Sequence, residues 1–523
     1  MTALPAYCLP RGLEEELETT VQRFGPPHDS VELSLPVVTP AGLARWIDAI
    51  VAARRDRLAG RTTRSIARPL ERVARRFLDG ADSARREAIA ALARTGRFPE
   101  SMIAHALDHS FEPLTRGGIE RWVASELGSA VALDRLVPRR DGPARRAHGP
   151  EWMLHVYAGN VPGIPVWPLC AALLLRSAVL AKTASREPLL APILARAIAE
   201  EDADLGSCLA VAWWKGGAAE LDRVALARAP AVLAFGGEEA TAGVARAARP
   251  DAIVVLHGPR VSVSCVTREA LTASRYGDLA RRAARDVSLY DQQGCLSPHA
   301  IYVERGGRVS PGDFASALGE ALAEEARSIG PPADGSIVAR PGAAADPETA
   351  ARVQLYRAQA AFESAQGERG TRVLGSEKAT GWTVVVEEGA RFEPTPAQRT
   401  VRVHAVADLE EACAALRPLA RCLEAVALEA PGARCAAATA AIAALGVPRV
   451  AAVGRLQRPS PLSAHGGVGF LAPFVRWTSV DTRRPQAGSA AGRAPRPLPT
   501  GRPASRPSEP GSRRAAPESR RSR

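Results

Sequence analysis

Five short apolar runs, "WMLHVYAG", "VLAKTA", "CLAVAWW", "AVLAFGG" and "AIVVLHG", recur between residues 152 and 258. Between them stand "PLCAALLLRS", "PLLAPILARAIAE", "AAELDRVALAR" and "EEATAGVARAA", which carry apolar residues at three- and four-residue spacing. Buried strands in regular alternation with helices predict a doubly wound, mostly parallel α/β domain. In such sheets ligands bind beyond the carboxyl ends of the strands, which is where "YAGNVPG", "KTASRE" and "FGGEEAT" fall.

The flanking sequence divides around this pattern. Residues 41–128 read as amphipathic helices, among them "PAGLARWIDAIVAARRDRL" and "RSIARPLERVARRFLDG". The turn-rich "VPRRDGPARRAHGPE" marks an exposed boundary. A second alternation begins near residue 269, with "RYGDLARRAARDVSLY" as helix and "AIYVE" as strand, and it continues to "RVAAVG". The organisation expected is a helical region over 1–150 packed on a Rossmann-like domain at 151–268. A second α/β domain follows at 269–455, then a segment at 456–482 that returns to the core. Two such α/β domains leave a cleft where a substrate can meet a cofactor.

Composition limits what else the chain can be. The net charge of +12 is concentrated after residue 482, where eleven arginines face only Glu509 and Glu518. That stretch, residues 483–523, has almost no large apolar side chain and reads as a disordered Arg/Pro-rich tail. It is either a solvated extension or a weak docking element for an anionic partner; the small charge left on the rest argues against nucleic-acid binding by the folded part. The eight cysteines show no metal-ligand spacing, and most lie among aliphatic residues, as in "LCAALLL". Reduced, buried thiols in a cytoplasmic protein are the expectation, with no metal site. The longest apolar run, "PVWPLCAALLLRSAVLA", carries Arg176 and two prolines and falls short of a membrane span; the N-terminus reads as no signal peptide.

Cys295, in "YDQQGCLSPH", has Gly294 before it and Ser297-Pro298 after it. Two readings stand. One is an incidental loop cysteine; the other is a nucleophile, reachable by substrate, whose neighbouring N–H groups can face an oxyanion, provided something lowers its pKa. Asn160, in "YAGNVPG", is either a turn former or an amide donor at a strand end, aimed at that same oxyanion. Only three lysines, Lys182, Lys215 and Lys378, stand in an arginine-rich chain, and Lys182 closes the second strand.

In combination, "HVYAGNVPGIPVWPL", "VLAKTASREPLLAPILA", "VLAFGGEEATAGVARAARPDAIVVLHGPRVSVSCVT", "DVSLYDQQGCLSPHAIYVE" and "GGVGFLAPFVRWTSVD" resemble the long-chain acyl-CoA reductases of the bacterial luminescence type (LuxC). These are a distant branch of the aldehyde dehydrogenase superfamily, and the resemblance runs from about residue 40 to 482. In that family a cysteine takes an acyl group from a thioester, and NADPH reduces the enzyme-bound thioester to an aldehyde. The resemblance implies an aldehyde-dehydrogenase-like fold and homo-oligomerisation. It also implies a fatty acyl-CoA or acyl-protein thioester as donor, with an acyl-transferring synthetase as a possible partner.

Carried over residue by residue, Cys295 matches the nucleophile and Asn160 the oxyanion amide. Lys182 looks like the lysine for the adenosine ribose or 2′-phosphate, and Gly236 and Gly237 resemble the turn under the pyrophosphate. Two departures matter. Hydrolytic relatives keep a glutamate base on the strand that here reads "IVVLHGPR", and no carboxylate stands there. His257 lies at about that place, as a base for the thiol or as a turn residue. Ser185 replaces the acidic residue of many NAD-preferring relatives, and Arg186 adds a counter-charge, which favours NADPH over NADH. Glu393 is the candidate for the nicotinamide ribose. Two rivals remain: an acyl-phosphate reductase resembling the glutamyl-phosphate enzymes, and a non-catalytic binding scaffold with a basic tail.

Overall fold

The computed structural model describes residues 3–14, 17–25, 30–95, 98–327, 347–376 and 380–481. The tail expected at 483–523, and Lys378, lie outside the described residues.

The five apolar runs form one parallel sheet. Its spatial order is Leu209–Ala212, Ala178–Lys182, Trp152–Val156, Ala231–Phe235, Ile253–His257. The chain therefore winds outward from Trp152–Val156 in one direction and then restarts on its other side. The switch point lies between the Trp152 and Ala231 strands, and there the loops after both strands diverge and leave a crevice. Gly159 and Asn160 leave the first of these strands, and Gly236 and Gly237 leave the second. Covered on both faces, the strands are near-continuously apolar: Ala178, Val179, Leu180 and Ala181 are all fully buried.

The second sheet has seven strands, in the order Arg372–Gly375, Thr383–Glu388, Thr400–Val406, Pro298–Glu304, Val261–Val266, Leu423–Glu429, Arg449–Ala452. All pairs are parallel except the edge pair of Arg372–Gly375 with Thr383–Glu388. Helices Tyr276–Ser288 and Pro311–Arg327 supply Leu279, Phe314 and Leu318 to a core on one face. Helices Leu409–Leu416 and Arg434–Ala443 supply Leu416, Ala438 and Ile442 to the other.

One boundary moves. The strand Val261–Val266, assigned by sequence to the 151–268 domain, is an interior strand of the seven-stranded sheet, so the crossing between sheets lies at Gly258-Pro259-Arg260. Its pattern "VSVSCV" announces a buried strand but not the partner sheet, which only the packing decides.

The first 150 residues hold the expected helices, from Pro40–Ala53 to Gly118–Leu127, but also a three-stranded sheet ordered Leu4–Pro5, Val31–Pro36, Thr19–Phe24. Thr39 caps the first helix by accepting the Gly42 N–H at 3.0 Å, with Pro40 in the first turn. Near the C-terminal end of the described chain, Arg476–Val480 pairs antiparallel with Ala144–His148. Among the described residues no helix is long and apolar enough to cross a membrane.

Candidate active site

A cavity of about 680 Å³ opens at the switch point, and both sheets line it. The volume lies within the range of sites that enclose a small molecule. Its lining includes Gly159, Ser185, Arg186, Phe235, Gly236 and Gly237, and also Ala106, Ile164, Trp167, Pro459 and Phe470. Cys295, Asn160 and His257 also line it. Among the described residues, no aspartate or glutamate lines it.

The loop that carries Cys295 is built on unusual backbone. Helix Tyr276–Ser288 ends, and Tyr290, Asp291 and Gln292 follow at φ 56°, 50° and 62°. A second left-handed triplet, Ala397, Gln398 and Arg399, lies against it at φ 61°, 53° and 56°. Non-glycine residues in this region cost about 1–3 kcal/mol each and persist only when their surroundings over-determine them. Here the surroundings do so. The Gln292 amide donates to the Pro298 and Thr400 carbonyls at 2.7 and 2.8 Å and accepts the Thr400 N–H at 2.8 Å. The buried Arg399 guanidinium reaches Asp291 Oδ1 at 2.7 Å, and the Gln398 N–H donates to the Asp291 carbonyl.

Cys295 follows this clamp, half-buried, with its carbonyl accepting from Ser262 Oγ at 2.7 Å. Burial pushes its thiol up to about 12, and the Glu424 carboxylate adds to the rise. The Arg260 guanidinium and the N–H groups of Cys295 and Leu296 oppose it, which aims those N–H groups at the sulfur. Asn160 Nδ2 donates to the Gln293 carbonyl at 2.9 Å, which ties the end of the Trp152 strand to the cysteine loop. An amide nitrogen carries two N–H bonds, so one remains for an oxyanion.

His257 ends its strand stacked on Phe235 at 4.6 Å between ring centroids. Burial holds its pKa down to about 3, so the ring is neutral, and its Nδ1 is buried without a partner. The reason lies in the facing turn: a Cβ on Gly466 would stand 2.9 Å from that nitrogen.

The glycine turn lines the same cavity. Gly236 and Gly237 open the helix Glu238–Ala247, and nothing lies within 4 Å of a Cβ built on Gly237, so backbone can approach a ligand there. A Cβ on Gly159 would meet the Glu187 N at 2.8 Å, so the loop after the first strand requires glycine. Ser185 is exposed and accepts from Trp213 Nε1 at 3.1 Å; Arg186 is exposed, with no ion pair among the described residues. These groups fit a dinucleotide phosphate.

Lys182 and Glu393, by contrast, do not line the cavity. Lys182 Nζ pairs with Asp222 at 2.8 Å and lies over the Trp214 ring. Glu393 pairs with the buried Arg402 at 2.7 Å, inside a cluster that includes Glu387 and His404.

Four groups here carried no signal in the sequence reading. Glu424, 2% exposed, accepts the Gly466 N–H at 2.9 Å and lies 3.5 Å from Arg260 Nε and 3.4 Å from His465 Nδ1. Arg260 and His465 both line the cavity. Ser262, fully buried, also accepts the Ala425 N–H at 3.2 Å. Both neighbouring strand registers shift beside Ser262, so the extra backbone freedom there is what lets its hydroxyl reach the cysteine loop.

Comparison with known proteins agrees with this geometry. Among solved structures, an aldehyde dehydrogenase from Physcomitrella patens in complex with the reaction product succinate superposes with a TM-score of 0.69. It is 13% identical, over 92% of this chain and 98% of that one. An NADP-dependent glyceraldehyde-3-phosphate dehydrogenase from Bacillus halodurans, complexed with NADP, gives 0.65 at 16% identity, over 88% of this chain and 95% of that one. At these identities the likeness shows the fold alone.

Among curated relatives, a long-chain acyl-protein thioester reductase from Photorhabdus luminescens is 32% identical over 191 residues, 36% of this chain and 39% of the relative. One of the same description from Aliivibrio fischeri is 25% identical over 290 residues, 55% of each. The chain thus spans about half, or less, of the length of these relatives. The family description Acyl-CoA reductase (LuxC) matches residues 59–477. On that match, which takes in the glycine turn, the cysteine loop and the C-terminal turn at His465, the chain belongs to the acyl-CoA reductase (LuxC) family and carries it on an aldehyde-dehydrogenase-like α/β fold.

Proposed function

We propose that the chain reduces a long-chain acyl thioester to the aldehyde through an acyl-Cys295 intermediate, with NADPH as reductant. The observation that carries this reading is the cavity itself: Cys295 and Asn160 share it with a glycine turn and a free guanidinium, and no carboxylate lines it.

The chemistry follows from that arrangement. Cys295 Sγ attacks the thioester carbonyl carbon, and the second Asn160 N–H and the Cys295 N–H hold the oxyanion. The donor thiol leaves with its sulfur and a proton, and the acyl group stays on Sγ. With no carboxylate among the lining residues to activate water, hydrolysis of this thioester is slow. Reduced nicotinamide, when bound, supplies the hydride for the acyl carbon. Collapse of the resulting oxyanion releases aldehyde and returns the electron pair to Sγ, which takes up a proton from water and regains the thiol.

Gly236, Gly237 and Arg186 are the groups that hold the dinucleotide, and Ser185 leaves room for a 2′-phosphate where a carboxylate would repel it. Ile164, Trp167 and Phe470 suit an aliphatic chain; the Trp167 Nε1 donates to the Ser110 carbonyl at 2.7 Å, so the indole presents only apolar surface. Lys182 takes part in nucleotide binding only if it leaves Asp222.

Mass measurement after incubation with acyl-CoA or with an acyl-carrier protein, without nucleotide, tests the proposal. The expected result is one acyl group on Cys295, discharged as aldehyde on addition of NADPH and absent in Cys295→Ala. Turnover by Cys295→Ala, or NADPH oxidation with an acyl phosphate and not with a thioester, overturns it.

A further inference from the structure

We infer that His465, held by Glu424, is the group that takes the proton from Cys295 and returns it to the departing thiol, and that His257 is not. This inference rests on the thioester chemistry proposed above.

The turn that carries His465 is tightly specified. The His465 N–H donates to the Val468 carbonyl at 2.8 Å and the Val468 N–H donates back at 3.2 Å. The two residues between them, Gly466 and Gly467, have φ of 60° and 85°, as a two-residue hairpin requires. This hairpin docks on the end of the His257 strand. Gly466 also has no room for a side chain, because its Cβ would meet His257 Nδ1 at 2.9 Å and Arg260 Nε at 3.3 Å. Glu424 holds the hairpin by its Gly466 N–H, and Arg260 holds it by donating to the Gly466 carbonyl at 3.1 Å.

The two imidazoles therefore have opposite surroundings. His465 Nδ1 faces the Glu424 carboxylate at 3.4 Å, which directs its Nε2 away from the carboxylate. That nitrogen has no protein partner among the described residues, and a quarter of the side chain is exposed in a chamber that Cys295 shares. A carboxylate on one ring nitrogen stabilises the imidazolium formed when the other takes a proton, which is the arrangement a cysteine nucleophile needs. His257 has no such carboxylate: its Nδ1 points at Gly466 and is unpartnered.

In the step itself, the proton on Cys295 Sγ passes to His465 Nε2 as the sulfur bonds to the acyl carbon. When the bond from that carbon to the donor sulfur breaks, the same proton goes to the leaving thiolate. Charge is unchanged over the exchange. Burial lowers the pKa of His465, with Arg260 adding to the fall and Glu424 opposing it, so the ring is neutral and ready to accept. The ionisable groups around it are Glu424, Arg260 and His257, and the Cys295 thiol lines the same cavity.

The test uses acylation alone, followed by release of free thiol from decanoyl-CoA without nucleotide. His465→Ala should acylate about 100-fold more slowly at pH 7, the low end of what general base catalysis contributes. Its saturating decanoyl-CoA concentration should be unchanged, its rate should climb tenfold per pH unit to pH 9, and added imidazole should restore it. Glu424→Gln should slow acylation without imidazole rescue, as expected of a positioning residue, and His257→Ala should stay within about fivefold of wild type. The dyad is overturned if His465→Ala keeps pace with wild type, if imidazole fails to restore a folded His465→Ala, or if His257→Ala shows the loss instead. A wild-type chain that releases no thiol overturns the thioester reading, and the dyad with it.

Discussion

Removing one buried hydroxyl should loosen both the fold and the cysteine loop. Ser262 Oγ donates to the Cys295 carbonyl at 2.7 Å and accepts the Ala425 N–H at 3.2 Å, in a fully buried position between two strands. Ser262→Ala leaves one acceptor and one donor without their partner. At about 1–3 kcal/mol for each buried group left unsatisfied, and with some local relaxation, a loss of roughly 2–4 kcal/mol is expected. The same bond fixes the peptide unit of the nucleophile, and a displacement near 1 Å at a reacting atom can lower a rate about 100-fold.

Urea unfolding measures the first effect, as a lower midpoint at unchanged slope, which separates lost stability from a changed unfolded state. Single-turnover acylation below the transition measures the second, with a fall of about 10- to 100-fold expected. A stability change under about 0.5 kcal/mol, or full-rate acylation by a destabilised protein, would refute the argument that this bond joins the strand to the nucleophile.

Other substitutions probe the remaining links. Arg186→Ala should raise KM for NADPH about tenfold or more and leave KM for NADH within about threefold, since a charged hydrogen bond to a phosphate contributes roughly 1.5–3 kcal/mol; equal effects on both would remove Arg186 from the 2′-phosphate. His105 is buried with both ring nitrogens unpartnered, and burial holds its pKa down to about 2. Its folded value lies below the unfolded one, so the folded state refuses a proton that the unfolded state accepts, and stability falls as pH drops below about 6.5. His105→Leu should therefore gain about 2 kcal/mol relative to wild type between pH 7.5 and pH 5, and equal shifts at both pH values would contradict this. Iodoacetamide at pH 7.5 should label exposed Cys422 and Cys435 before Cys295, whose rate should keep rising to pH 10, as peptide mass mapping would show.

What the sequence disclosed follows from which interactions are local. The five strands of the first sheet were legible because strands buried on both faces must be apolar throughout. Gly236-Gly237 and the cysteine turn were legible because turn chemistry lies within a few residues. Where a partner decided the outcome, the sequence carried no sign of it. "VSVSCV" announced a buried strand but not its sheet. Lys182 ends its strand as expected, yet Asp222, forty residues on, claims its ammonium. Glu393 faces Arg402 for the same kind of reason. The left-handed triplets at Tyr290 and Ala397 have little local preference for that conformation; their mutual hydrogen bonds impose it. His465 and Glu424 meet only because a glycine hairpin docks beneath another domain's strand.

That dependence on distant partners bears on how the thiol is used. A group with a pKa of about 12 is ionised at pH 7 in roughly one molecule in 10⁵, so spontaneous thiolate cannot sustain rapid acylation. The burial responsible also keeps carboxylates off the cavity wall, and with them any base for water. A site that simply lowered the thiol pKa with nearby cations would gain a standing thiolate, open to oxidation and alkylation between turnovers. A neutral imidazole backed by a buried carboxylate accepts the proton only while a thioester is being attacked. The same device serves the exit, because the departing thiolate recovers that proton before it meets solvent. The carboxylate that acts on the sulfur, Glu424, is held by the Gly466 N–H, Arg260 and His465. Bound in this way it orients the imidazole and is not free to activate water, and in the proposed reaction this lets one cavity make an acyl-enzyme and keep it until hydride arrives.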